Sequence, residues 1–151
     1  MPPLTDAVLL VEDNPDDMAL TLRAFKHAAL LNPLFVVQDG MEALDFLFAR
    51  GAFTARAGQP LPKLILLDLK LPRLDGVEVL KAIRADARTC LIPVLMLTSS
   101  TLEQDLEICY TAGANSYLVK PIDFVAFVEM ARLLALYWLT INHSASGLVS
   151  A

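Results

Sequence analysis

Six consecutive positions directly after the apolar run 7–11 hold four carboxylates, those of Glu12, Asp13, Asp16 and Asp17. Like charges at this spacing repel one another, which favours protonation or a bound cation. Carboxylates are also common in the first turn of a helix, where they face the positive end of the helix dipole. The stretch is therefore either a solvated helix start or part of a metal site. For Asp16 and Asp17 we expect the solvated role.

The later apolar runs also end in side chains that can do chemistry, namely Asp68, Thr98 and Lys120. A carboxylate oxygen such as that of Asp68 can accept a phosphoryl group and form an acyl phosphate. Glu12 and Asp13 would supply oxygen ligands for a hard divalent ion such as Mg²⁺. Lys120 would then pair with the phosphoryl oxygens, and Thr98 would hydrogen-bond to them. This set of residues favours phosphoryl transfer by positioning and charge neutralisation.

These residues need a fold that brings the ends of separate strands together. The chain alternates short apolar runs with longer stretches of helical spacing, which predicts an α/β fold with a doubly wound, five-stranded parallel sheet. The functional crevice of such a sheet lies beyond the carboxyl ends of its strands. The predicted strands cover 7–11, 35–38, 63–68, 92–98 and 116–119, and the predicted helices cover 16–31, 41–48, 77–85, 102–112 and 122–141.

The bulk composition predicts a compact globular domain. The chain has 151 residues, of which 56% are hydrophobic and 19% charged. This is enough for one core, with an apolar surplus that can meet a partner. We expect a single domain over 1–151, with its core at about 7–141 and a short tail at 142–151. A net charge of −5 with only scattered Lys and Arg argues against a nucleic-acid partner.

The cysteines and the N-terminus favour a cytoplasmic location. Cys90 and Cys109 have no C-x-x-C spacing and no neighbouring histidine, so neither a zinc site nor a disulfide framework is indicated. The first six residues carry no positively charged segment ahead of an apolar one, which argues against a secretory signal.

The last predicted helix is apolar on more than one face. Glu129 and Arg132 lie near the middle of 124–141, and each would cost about 2.5–3.5 kcal/mol at the centre of a bilayer. A membrane span is therefore not expected. A single buried stripe would not need so many apolar residues. We expect a symmetric homodimer through this C-terminal helix to cover the second face.

Four stretches at the predicted strand ends carry a family resemblance. VLLVEDNP, LILLDLKLPRLDG, VLMLTSS and YLVKP resemble, in order and spacing, the receiver domain of two-component response regulators, over about 7–140. The resemblance implies the flavodoxin-like (βα)₅ fold with strand order 2-1-3-4-5. It also implies a protein that takes a phosphoryl group from a sensor histidine kinase, catalyses this step itself and hydrolyses the product slowly, rather than a turnover enzyme. Because the receiver occupies almost the whole chain, we expect the signal to leave through protein contacts or through onward transfer to a histidine phosphotransfer protein.

The resemblance assigns roles to the acceptor and switch residues. It implies that Asp68 is the phosphoacceptor, that Thr98 is the switch hydroxyl and that Tyr117 is the rotating aromatic residue of the switch. Lys120 becomes the cation that pairs with the phosphoryl group, and a cis peptide bond is expected before Pro121.

The resemblance also implies a bound Mg²⁺ or Mn²⁺. Its ligands would be the acidic pocket of Glu12 and Asp13, the Asp68 carboxylate and the backbone carbonyl of Lys70. Lys70 departs from the family pattern, because a small polar residue is often found at this position. We expect the Lys70 ammonium either to compete with the cation or to shield the acyl phosphate from water.

Three further features resemble one branch of the family. They are the DNP that follows the acidic pair, the Pro/Gly-containing loop at 50–62 and the terminal FVEMARLLALYWLTI. These features are similar to single-domain regulators that partner phytochrome-type histidine kinases.

Other classes of protein fit the sequence less well. A haloacid-dehalogenase-like phosphatase would need a second aspartate two residues beyond Asp68, where Lys70 stands. A nucleotide- or flavin-binding domain would need a glycine-rich loop after the first strand, and the acidic stretch there would repel a phosphate. A phosphorylation-independent, receiver-like binding module remains an alternative.

Overall fold

The computed structural model describes residues 6–28 and 32–145 and shows strands alternating with helices along the chain. Residues 29–31, which the sequence places in the first helix, and most of the predicted tail lie outside the described residues. The strands are β1 (Val8–Val11), β2 (Leu34–Val37), β3 (Leu64–Leu67), β4 (Val94–Thr98) and β5 (Ser116–Val119), and the helices are α1 (Pro15–His27), α2 (Gly40–Phe48), α3 (Gly76–Ala85), α4 (Glu103–Thr111) and α5 (Phe124–Ala135).

The strands form a parallel sheet in the order β2-β1-β3-β4-β5, as predicted. Every residue of β1, β3 and β4 is buried, because helices cover both faces of the sheet. Alternate residues of each strand point to opposite faces. Leu9 and Ile65 therefore pack with α2 and α3, while Leu10 and Leu66 pack with α1 and α5.

Acidic and amide side chains cap three helices at the edge of the sheet where the carboxyl ends of the strands lie. Asn14 caps α1, where its side-chain oxygen accepts from the backbone N–H groups of Asp16 (2.9 Å) and Asp17 (3.1 Å). Asp39 caps α2 and Asp75 caps α3 in the same way. Such caps satisfy backbone donors that have no partner within the helix. These caps fix the starts of α1, α2 and α3 at this edge.

The boundaries of some elements differ from the predicted ones. β4 begins at Val94 rather than at residue 92, because Pro93 has no backbone N–H for the sheet ladder. The predicted loop at 50–62 contains a 3₁₀ helix over Gly51–Arg56. The predicted last helix continues beyond α5 as a π-helical segment, Leu136–Ile141.

Gly76 allows α3 to begin against the end of β3. A Cβ at this position would lie 2.2 Å from the backbone oxygen of Asp68 and 2.8 Å from that of Leu69. We expect Gly76→Ala to lower the free energy of unfolding by about 3 kcal/mol, because backbone atoms must shift to relieve the overlap. Gly58→Ala is the control, since a Cβ there meets nothing within 4 Å and only the positive φ of +82° costs energy, about 1 kcal/mol. Equal losses in urea unfolding would contradict this account of α3.

Candidate functional site

The backbone ladder of the sheet continues past the strand ends and fixes the predicted site residues. The N–H of Glu12 donates to a carbonyl of β2 (3.0 Å), and the N–H of Asp68 donates to a carbonyl of β1 (3.0 Å). The N–H of Lys120 donates to the carbonyl of Thr98 (2.8 Å). The carboxyl ends of β1, β3, β4 and β5 therefore present these side chains at one edge of the sheet.

Three carboxylates meet at this edge. Glu12, Asp13 and Asp68 each offer an oxygen, and these oxygens lie within 4.8 Å of one another. Glu12 is 1% exposed and Asp68 is 9% exposed, while Asp13 is open to solvent. A set of carboxylate oxygens at this spacing suits a hard divalent cation that keeps several of its waters, such as Mg²⁺ or Mn²⁺. Lys70 lies two residues beyond Asp68, with an exposed side chain.

Lys120 joins the carboxylates of this edge. Its ammonium donates to Glu12, to Asp17 Oδ2 (2.9 Å) and to Asp68 Oδ2 (3.3 Å), and its side chain is only 8% exposed. Burial acts to lower the pKa of Lys120, but the hydrogen bonds to Glu12 and Asp17 and the charge of Asp68 outweigh it. The pKa therefore lies well above its usual value, and Lys120 stays charged.

Asp17 differs from the expectation of a purely solvated carboxylate. Its Oδ2 accepts from Lys120 and its side chain is 38% exposed. Asp17 therefore lies on the solvent side of the acidic edge, as we call the cluster of Glu12, Asp13, Asp68 and Lys120. The sequence could not show that Lys120, the residue after β5, would be its partner. Asp16 is exposed, as expected.

The crowding of carboxylates affects Glu12 most. Burial and the neighbouring Asp68 together raise the pKa of Glu12 to about 7, although Lys120 acts in the opposite direction. In the unfolded chain the same group titrates near 4.5. Its protonated form is therefore favoured by folding, and its ionised form is disfavoured unless a cation is bound.

The stability of the metal-free protein should depend on Glu12 as pH changes. Because the pKa of Glu12 is raised on folding, its stabilising contribution is complete below pH 4.5 and is lost as pH rises through about 7. In EDTA, we expect wild type to lose stability relative to Glu12→Gln over this range. Urea unfolding at several pH values measures the effect. Glu78→Gln, at an exposed glutamate, should keep the wild-type profile. A constant difference between wild type and Glu12→Gln would contradict the prediction.

Thr98 and Tyr117 meet through Ser100. Thr98 is 2% exposed, and its hydroxyl oxygen accepts from the Ser100 N–H (3.2 Å). The half-buried Tyr117 donates its hydroxyl to the Ser100 carbonyl (3.1 Å). The Ser100 hydroxyl donates to Asp105 of α4 (2.6 Å). Leu102, which has no side-chain cap bond, stands at the start of α4, so Thr98 does not cap this helix. The segment links the site to α4.

The prediction of a cis peptide bond before Pro121 is wrong. The bond is trans, as are all peptide bonds of the described residues. The trans form of an X–Pro bond is intrinsically favoured by about 0.5–1 kcal/mol.

A salt bridge anchors the loop between β3 and α3, and the sequence did not reveal it. Arg73 donates through Nε and Nη2 to the two Asp39 oxygens (3.0 and 2.9 Å). The backbone of Arg73 is left-handed, with φ of +63°. A Cβ on Gly40 would lie 2.0 Å from the backbone oxygen of Leu74, so only glycine allows α2 to approach this loop. The loop that carries Lys70 is thus fixed to the start of α2.

The comparison with known families decides the identity. A family model described as the response regulator receiver domain matches residues 8–132. The chain belongs to the response regulator receiver family. Curated relatives of this receiver include FilR2 of Methanothrix harundinacea, a probable methanogenesis regulatory protein, at 39% identity over 137 residues, or 91% of this chain and 86% of FilR2. Response regulator Rcp1 of Synechocystis is 36% identical over 132 residues, or 87% of this chain and 88% of Rcp1.

Solved structures place this receiver near the phytochrome response regulators. The phosphorylated cyanobacterial phytochrome response regulator RcpA matches it with a TM-score of 0.85 at 33% identity, over 93% of this chain and 98% of RcpA. The Mn²⁺-bound form of Rcp1 matches with a TM-score of 0.82 at 34% identity, over 92% of this chain and 98% of the Rcp1 chain. These matches confirm the predicted fold and the predicted branch of the receiver family.

Proposed function

We propose that this receiver accepts a phosphoryl group from a sensor histidine kinase on Asp68, with Mg²⁺ or Mn²⁺ as cofactor. The observation that carries the proposal is the meeting of Asp68 with Glu12, Asp13 and Lys120 at one edge of the sheet. The acidic edge fits the cation, and a relative is known in a Mn²⁺-bound form. The family match and this complete set of residues do not favour a phosphorylation-independent binding module.

The reaction would use the residues of this edge directly. A carboxylate oxygen of Asp68 attacks the phosphorus of the phosphohistidine, and the P–N bond breaks as the O–P bond forms. Lys120 would pair with the phosphoryl oxygens, and the Thr98 hydroxyl would turn towards them and donate. A bound divalent cation would neutralise negative charge on the transferred group. The ligands of this cation would be Glu12, Asp13, Asp68 and the Lys70 carbonyl.

Phosphorylation would change the protein surface through the segment around Ser100. When the Thr98 hydroxyl turns towards the acceptor, it gives up its bond from the Ser100 N–H. Tyr117 is bonded to the carbonyl of the same residue, and Asp105 to its hydroxyl. Movement of Thr98 would thus change the position of Tyr117 and of the start of α4. This surface change would be the signal.

The kinase partner is proposed from the relatives. RcpA is a cyanobacterial phytochrome response regulator, and RtBRR, a bacteriophytochrome response regulator, is 43% identical to this chain with a TM-score of 0.76. We propose that the partner of this receiver is a phytochrome-type histidine kinase. The receiver would act in the cytoplasm. It would pass the signal on through protein contacts or to a histidine phosphotransfer protein, after which slow autodephosphorylation resets it.

The last helix supports the proposed homodimer. Phe124–Ile141 is long and apolar enough to cross a membrane by length and composition alone. However, Phe127 and Ala131 are buried against the sheet and α1, as in the core helix of a globular domain. The opposite face exposes Leu133 (51%) and Tyr137 (48%). A second copy of the chain would cover this face.

Tyr137→Glu should therefore give a monomer. A charge in an apolar interface must lose its hydration, which costs more than the interface gains there. Light scattering measures the oligomeric state. Glu107→Gln, on the exposed side of α4, serves as a control that should keep the dimer. A dimer that persists in Tyr137→Glu would rule out this face.

Small phosphodonors test the central step without the kinase. We expect wild type with Mg²⁺ and acetyl phosphate to gain the mass of one phosphoryl group, as seen by intact-protein mass spectrometry. Hydroxylamine should remove the added mass because it cleaves acyl phosphates, and EDTA should prevent its formation. A protein that stays unmodified with Mg²⁺, or an adduct that resists hydroxylamine, would contradict the proposed function.

A further inference from the structure

A cavity lies at the opposite end of the sheet from the acidic edge. It has a volume of about 780 Å³ and lies beside the residues that lead into β3 and β4, Pro62 and Ile92. Its lining includes the apolar side chains of Phe46, Phe48 and Leu61. This volume is in the range of sites that bind small molecules. The proposed phosphoryl transfer does not use it.

Arg56 is the cation of this cavity that lacks an acidic partner. Among residues 6–28 and 32–145, no carboxylate lies within ion-pair distance of its guanidinium. Its Nε donates to the Phe46 carbonyl (3.2 Å), and its Cζ lies 3.6 Å from the centroid of the Phe46 ring. The other cations are occupied, because Arg88 pairs with Asp86 (2.9 Å) and Lys63 donates to the Leu139 carbonyl (3.1 Å).

A half-buried guanidinium without a counter-charge favours an anion. Burial lowers the pKa of Arg56, and no acidic neighbour offsets this effect. The contact with the Phe46 ring and the hydrogen bond to the Phe46 carbonyl fix the position of the guanidinium. Its terminal nitrogens form a planar fork that matches the two oxygens of a carboxylate.

We propose that this cavity binds an amphipathic anion, namely an aromatic or medium-chain alkyl carboxylate. The apolar body of the ligand would lie against Phe46, Phe48 and Leu61, and its carboxylate would pair with Arg56. This site stands independently of Asp68, so a failure of either proposal leaves the other intact.

Anilinonaphthalene sulfonate is a suitable probe, because it joins an anionic group to an aromatic body. We expect saturable binding to the full chain with one site, and displacement by decanoate. Arg56→Gln should lower the affinity for the probe at least ~10-fold, which is the loss expected for one charge-assisted hydrogen-bonded pair. The uncharged analogue N-phenylnaphthylamine should bind wild type and Arg56→Gln equally. Arg50→Gln is the control, since Arg50 is an exposed arginine beside Phe48 that does not line the cavity.

The outcomes separate this site from non-specific binding. A thermal melt shows whether Arg56→Gln is folded. If it is not, Arg56→Lys, which keeps the charge and loses the planar fork, replaces it and should show an intermediate loss. Equal affinity of the sulfonate for wild type and the folded Arg56 variant would overturn the proposal. So would the absence of saturable binding to wild type.

Discussion

Asp68→Asn is expected to abolish phosphoryl acceptance. The amide is a far weaker nucleophile than a carboxylate and cannot form an acyl phosphate, and the change also removes one charge from the acidic edge. In the presence of Mg²⁺ and acetyl phosphate, the variant should keep its unmodified mass while wild type gains one phosphoryl group. Folding should be retained, because the change relieves repulsion between Asp68 and the buried Glu12.

The matched control for this variant is Asp16→Asn. Asp16 is an exposed carboxylate of the same region, and its side chain makes no contact with Lys120 among the described residues. It should be modified as wild type is. If Asp68→Asn takes up phosphate at the wild-type rate, Asp68 is not the acceptor.

Lys120→Gln should lower both stability and phosphoryl transfer. The Lys120 side chain is only 8% exposed, and its ammonium contacts three carboxylates. Without it, buried negative charge is left without a partner, which costs about 3 kcal/mol. The loss should appear in urea unfolding in EDTA, and Mg²⁺ should restore part of it because the cation replaces the missing charge. Acetyl phosphate should modify the variant more slowly.

Lys81→Gln shows what an ordinary ion pair contributes. Lys81 contacts Glu78 at 3.5 Å, and both side chains are more than half exposed, so its loss should change the free energy of unfolding by less than about 0.5 kcal/mol. A Lys120→Gln protein as stable as Lys81→Gln in EDTA would show that Lys120 does not offset the acidic edge.

The sequence was sufficient to predict the site because the side chains stand at strand ends. Glu12 and Asp68 each follow a continuous apolar run that indicates a covered strand, and Thr98 ends another. Lys120 follows the less apolar strand β5. Parallel strands bring such positions to one edge whatever the details of the helices. The convergence of these residues could therefore be predicted from the sequence pattern, whereas the strand order was implied by the family resemblance.

Contacts between side chains of distant elements could not be predicted in the same way. Asp17 reaches Lys120 across 103 positions of the chain, and Arg73 reaches Asp39 across 34. Neither pair has a local pattern, because each depends on how segments far apart in the chain approach one another. The cavity beside Arg56 is a further case, since the predicted loop gave no sign that a 3₁₀ helix would stack an arginine on Phe46.

The most direct measurement is the chemical mapping of the phosphorylated residue. Sodium borohydride reduces an aspartyl phosphate to homoserine, which tandem mass spectrometry locates in a peptide digest. After phosphorylation with Mg²⁺ and acetyl phosphate, we predict homoserine at position 68 alone. Homoserine at position 13 or 17, or none in a protein that carries the added mass, would contradict the assignment of Asp68 as the acceptor.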